Sequence, residues 1–104
     1  MNQTPEEELN KIKLKHHWKI MYDKRWNLIS RKEKLSEEFI ETYQDEVYWL
    51  WISCCQTLSD EFIEKFIDRL DLNYLFKEKR IDIIILRKYK DNLIHYDRFQ
   101  LLDI

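Results

Sequence analysis

The spacing of apolar residues along this chain predicts a series of short helices. Leu35-Ser36-Glu37-Glu38-Phe39-Ile40-Glu41 returns 23 residues later as Leu58-Ser59-Asp60-Glu61-Phe62-Ile63-Glu64. At the same offset Tyr43 meets Phe66, Val47 meets Leu70 and Ile52 meets Leu75. Within each copy the apolar residues fall at i, i+1 and i+4 (Phe39, Ile40, Tyr43; Phe62, Ile63, Phe66), which makes one stripe on a helix. Ser36, Ser59 and Asp82 precede these stripes and suit helix N-caps. Asp45, Asp68 and Asp91 are expected to cap a second helix in each copy. That helix carries Trp49, Ile52 and Cys55 in one copy, and Leu72, Leu75 and Phe76 in the next. Each copy is thus a helix of about two turns, a tight turn and a helix of about three turns. Helices this short are not stable alone and must be covered by their neighbours.

Two further copies extend the pattern. Trp26-Asn27-Leu28-Ile29-Ser30 matches Trp49-Leu50-Trp51-Ile52-Ser53. Downstream, Ile81, Ile85, Leu86 and Tyr89 fit the template. The expected fold is therefore all-α, a short α-solenoid-like stack of helix–turn–helix units at about 12–34, 35–57, 58–80 and 81–103 in a single domain. A longer helix should lead in, from Pro5 to about Met21, because Thr4-Pro5-Glu6-Glu7 carries a capping box with Pro at the first position. Asp23 is expected to cap the next helix. Ile81 to Leu86 has strong β-propensity, but the repeat register favours a helix there.

Composition removes several function classes. The chain has 104 residues with no Gly and one Pro, so Gly-dependent hairpins, dinucleotide-binding loops and phosphate-cradling loops have no material. Fifteen aromatic residues supply the apolar area that argues against disorder. Cys54 and Cys55 are adjacent, so they cannot staple distant segments. That points to a reduced, intracellular and cytoplasmic setting. From the polar start no signal peptide is expected, and the longest apolar stretch is far too short to span a bilayer, so no membrane partner is expected.

The pattern Leu35-Ser36-Glu37-Glu38-Phe39-Ile40-Glu41, followed by Asp45, Trp49, Ile52-Ser53 and Gln56, resembles a short helical repeat of uncharacterised proteins of large DNA viruses and bacteriophages. The likeness covers the second and third units well, the first partly and the fourth loosely. The first and fourth lack the Ser-Glu-Glu-Phe start, as terminal units would. The resemblance implies a helical-repeat protein of viral or phage type, and it brings no catalytic residues with it.

The chemistry-bearing residues fit caps and core better than a reaction centre. His16 and His17 are neighbours, so on a helix they point about 100° apart and cannot chelate one metal together. No metal-ligand spacing joins the cysteines to a histidine, and Cys55 is expected to pack as a buried, inert thiol. Glu37, Glu38, Asp60 and Glu61 sit where a helix start favours negative charge. No cofactor, metal or catalytic residue is expected, and the chain is not read as an enzyme.

Charge is uneven: residues 1–34 carry a net +4, residues 35–80 a net −6 and residues 81–104 a net zero. The basic stretch, with Lys15, Lys19, Lys24 and Arg25 interleaved with Trp18, Tyr22 and Trp26, could contact nucleic acid. The bland reading is a solvated face with Trp18 or Trp26 in the core, and it is preferred because the whole chain is slightly acidic. Trp49 and Trp51 lie two apart and face different ways, so one of them is a candidate for a partner surface. The expected function is non-catalytic binding to a host protein, as a small viral or phage effector that inhibits its target. Candidate contacts are Tyr48, Trp51, Glu41, Glu64 and Arg87, the last three at one repeat position and so expected to line up. The alternatives are nucleic-acid binding through residues 11–34 and self-assembly into a homo-oligomer through the apolar C-terminal unit.

Overall fold

The computed structural model describes residues 3–77 and 83–88. Every regular element among them is helical: α1 (Pro5–His16), α2 (Asp23–Lys32), α3 (Glu37–Thr42), α4 (Trp49–Cys55), α5 (Asp60–Lys65), α6 (Leu72–Lys77) and α7 (Ile83–Lys88). The expected all-α class holds. The chain divides into two compact units, Met1–Gln56 and Thr57–Ile104. Among the described residues no helix is long and apolar enough to cross a membrane.

The helix boundaries carry the period of the sequence. α3, α5 and α7 begin at residues 37, 60 and 83 and end at 42, 65 and 88. α4 and α6 begin at 49 and 72. In the first two of these copies the local chemistry also repeats. The Ser36 hydroxyl accepts the Phe39 N–H at 3.1 Å, and the Ser59 hydroxyl accepts the Phe62 N–H at 3.2 Å. Each cap satisfies one of the amides that a helix start leaves unpaired. Tyr43 and Phe66 close their helices by donating to Phe39 and Phe62, both at 3.0 Å. Val47 and Leu70 then donate to Tyr43 and Phe66, again at 3.0 Å. The stretch from Ile81 to Leu86, which β-propensity alone would make a strand, is helical from Ile83 onward. Ile81 and Asp82 lie outside the described residues, as do Asp91 and most of the fourth sequence unit.

Four boundaries differ from expectation. α1 stops at His16, five residues short of Met21. His17 turns left-handed (φ 60°, ψ 36°) and donates to the Leu14 carbonyl at 3.2 Å, while Trp18 N–H reaches Lys13 O at 2.8 Å. That pairing uses the free carbonyls at the helix end and stops the helix without a glycine. Asp23 is the first residue of α2, whose N-cap is Tyr22. Its carboxylate lies in the first turn, where the helix dipole favours it. Asp45 and Asp68 lie exposed in the turns between helices rather than at caps. Those turns first place Val47 and Leu70 in the core, so the second helices start later. α4 starts behind Tyr48, and the Asp71 carboxylate accepts the Asn73 and Tyr74 amides at the head of α6, at 3.0 and 3.3 Å.

In the first unit α1 packs on α3 and α2 on α4. Ile12, Trp26, Ile29, Leu35, Phe39, Ile40, Val47 and Ile52 are buried there. Trp26, Phe39 and Tyr43 form an aromatic cluster with ring centroids 4.8 to 6.2 Å apart and tilted planes, a favoured geometry. Trp26 is thus the core tryptophan of the basic segment. In the second unit Phe62, Ile63, Phe66, Ile67, Leu70, Leu72, Leu75 and Ile85 are buried.

Candidate partner-binding surface

The first unit is held by polar links as well as by its core. Gln56, the residue that ends α4, is buried at 2% exposure. Its Oε1 accepts the Leu35 N–H at 2.9 Å. Its Nε2 donates to the carbonyls of Ser30 at 3.0 Å and Glu33 at 2.7 Å. A single amide side chain therefore satisfies three backbone groups at the exit of α2, where a helix end leaves carbonyls unpaired. Ser30 adds a second tie. Its hydroxyl donates to Trp26 O at 2.7 Å and accepts the Tyr48 N–H at 3.0 Å. Ser53, 23 residues later, likewise donates to Trp49 O at 2.7 Å.

α1 is tied by two carboxylates. Glu8, buried on α1, accepts from the Ser36 hydroxyl at 2.6 Å and from its amide at 3.0 Å. Glu33 lies at hydrogen-bonding distance from Lys15 Nζ (3.0 Å) and His16 Nε2 (2.9 Å) in the last turn of α1. Burial raises the Glu33 pKa, but hydrogen bonds from His16 and Lys15, with the Lys15 charge, outweigh it and hold the carboxyl below its ordinary value. None of these links was legible as a link in the sequence. Gln56 and Ser53 stood out only as repeat positions, and Glu8 and Glu33 carried no signal.

Of the residues predicted for binding, Tyr48, Trp51 and Glu41 belong to this unit, and Glu64 and Arg87 to the second. Tyr48 and Trp51 lie together at the head of α4, joined by the Trp51 N–H donated to Tyr48 O at 3.0 Å. Both are half-buried, and Leu50 beside them is 43% exposed. The Arg31 guanidinium lies 5.4 Å from the Trp51 ring centroid, a cation–π contact the sequence reading did not identify. Trp49 turns the other way and donates its indole N–H to Gln44 O at 2.9 Å. Glu41, half-buried, occupies the fifth position of α3; Glu64 and Arg87, both exposed, hold that position in α5 and α7. Glu64 pairs with Lys88 at 3.8 Å.

The basic segment is more occupied than its composition suggests. Lys15 is engaged by Glu33. Arg25 lies 5.0 Å from the Trp18 centroid and 4.5 Å from that of Tyr22, and donates to Ile20 O at 2.7 Å. Trp18 also stacks on His16, with centroids 4.2 Å apart and planes at 13°. Lys19 and Lys24 are exposed. Cys54 is half-buried and Cys55 exposed. The buried Cys55 expected from the sequence is therefore corrected: α4 turns Ile52 and Ser53 inward and leaves its last residue outside. Among the described residues no group of three His, Cys, Asp or Glu side chains is placed to hold a metal.

Comparison with protein-family models, with curated proteins and with solved structures gives no match to this chain.

Proposed function

We propose that this chain is a non-catalytic helical-repeat protein that binds another protein, with its helix pairs stacked as a short solenoid. The observation that carries the reading is the head of α4. Tyr48, Leu50 and Trp51 are partly open to solvent there, beside an arginine already placed near the indole. Half-exposed tryptophan and arginine on a rigid base are the groups that most often dominate protein interfaces, because little rotamer freedom remains to be lost on binding. The α2–α4 packing and the Gln56 and Ser30 ties provide that base. Following the repeat resemblance, the chain is proposed as a viral or phage effector whose target is a host protein. Glu41, Glu64 and Arg87 are proposed as further contact residues.

Affinity capture from host lysate, with and without nuclease and read by mass spectrometry, tests this reading. A nuclease-resistant protein recovered by the parent chain and lost with Trp51→Ala is the expected result. Recovery of no specific protein, or of one indifferent to Trp51, would count against it. Recovery abolished by nuclease would favour the nucleic-acid alternative through Lys19 and Lys24. That alternative is weakened by the local engagement of Lys15 and Arg25.

A further inference from the structure

Three of the five large apolar side chains exposed among the described residues fall within one nine-residue stretch: Leu14 (75%), Ile20 (65%) and Tyr22 (47%). Leu14 lies in the last turn of α1, and Ile20 and Tyr22 lie in the connection between α1 and α2. Residues 11–25 hold six Lys or Arg against one acid, Asp23, a net charge of +5. Exposed apolar groups scattered singly need no explanation, but three within one short, strongly basic stretch do.

The connection is also fixed in shape. Arg25 gathers it, touching the rings of Trp18 and Tyr22 and holding the Ile20 carbonyl. Loop residues held in place by a buried or stacked cation present their outer side chains without a large ordering cost on binding. What they present is aliphatic, through Leu14 and Ile20, and amphipathic, through Tyr22 and the half-buried Trp18.

The choice of partner follows from these groups. Single-stranded nucleic acid would use open aromatic faces for base stacking and free cations for phosphate. Here Trp18 already stacks on His16 and holds Arg25, and Arg25 is committed to two rings. Leu14 and Ile20 have nothing to offer a phosphate or a base edge. A lipid surface with negative headgroups uses all three kinds of group. Aliphatic side chains enter the acyl boundary, Trp and Tyr sit at the headgroup level, and lysines meet the surface charge. We propose that the α1–α2 connection is a peripheral docking site for an anionic lipid membrane, centred on Leu14, Ile20 and Tyr22, with Lys13, Lys19 and Lys24 near them in the chain. The expectation of no membrane partner rested on the lack of a spanning segment, and surface binding requires none. The site is separate from the head of α4, so the protein-binding proposal and this one stand or fall independently.

Co-sedimentation of the full chain with phosphatidylcholine vesicles, with and without phosphatidylserine, tests the proposal. Binding is expected with phosphatidylserine only, and it should weaken as salt rises. Ile20→Glu, on an exposed position, should reduce it at least about tenfold through lost apolar insertion and added repulsion. Lys19→Glu with Lys24→Glu should do the same. Leu50→Glu, an exposed apolar position elsewhere, should leave it unchanged, and circular dichroism should show all variants folded. Absence of sedimentation with either vesicle would overturn the proposal, and so would equal loss with Leu50→Glu. Retention of a labelled oligo-dT by the parent chain without vesicle binding would overturn it in favour of nucleic acid.

Discussion

Residues 33 and 56 occupy the same place in successive sequence units, and they solve one problem with two chemistries. Each is the C-cap of its helix, with nearly identical backbone angles: φ −98°, ψ 145° for Glu33 and φ −97°, ψ 147° for Gln56. Each closes its helix with the same amide, donated to Ile29 and Ile52 respectively. Each side chain then reaches back to the end of an earlier helix, α2 for Gln56 and α1 for Glu33. Gln56, out of water, does so with a neutral amide and three hydrogen bonds. Glu33, whose side chain is 13% exposed, does so with a carboxylate held by Lys15, which is mostly in solvent, and by His16. A buried carboxylate facing two carbonyls would be left with its charge uncompensated. The comparison teaches that backbone geometry repeats where the sequence repeats, while burial decides which side chain can complete the link.

The strongest way to break the comparison is to remove the buried link. Gln56→Leu keeps the bulk but orphans the Leu35 amide and the Ser30 and Glu33 carbonyls. It should cost about 3 kcal/mol, since buried unpaired polar groups lose their full solvation. Urea unfolding followed by circular dichroism measures this, and a loss under about 1 kcal/mol would show that water replaces the amide. Ser30→Ala comes next. The Tyr48 amide loses its acceptor at the head of α4, for an expected loss of about 1.5 kcal/mol by the same measurement. Glu33→Gln should cost least, under about 1 kcal/mol, because Lys15 is largely exposed and such pairs are screened. Its cost should shrink further in high salt, while that of Gln56→Leu should not.

Acidity sharpens the same contrast. The Glu33 carboxyl titrates below its ordinary value in the fold, so the unfolded chain takes up its proton first as pH falls. Its contribution is fully present above the ordinary carboxylate pKa and is lost as pH drops through the lowered folded value. Parent and Glu33→Gln proteins should therefore differ at neutral pH and converge in acid. A gap that stays constant down through the carboxylate range would mean that Glu33 is not held as a charged partner of Lys15 and His16.

The helices were legible in the sequence because caps and apolar spacing act locally. Ser36 and Ser59 announce α3 and α5 through a bond three residues away, and the 23-residue period carries that reading to Ile83. Boundaries set by tertiary demand were less legible. Asp45 and Asp68 look like caps, yet the chain first buries Val47 and Leu70. Nothing in the Thr4 capping box says that α1 ends at His16. The candidate surface was half legible. Trp51 and Tyr48 stood out by residue type, but Arg31 lies 20 positions from Trp51, and no local pattern joins them. Lys15 and Arg25 were named for their charge, and the fold shows both engaged close to home.

The single amide of Gln56 also has a consequence for motion. The Leu35 N–H belongs to no helix and sits in the connection between α2 and α3, where backbone amides ordinarily trade protons with water quickly. Bound to Gln56 Oε1 and buried, it can meet solvent only when the end of α4 lifts away. Its deuterium uptake should therefore keep pace with that of the α4 amides, so that a residue in a linker reports the opening of a helix about twenty positions downstream.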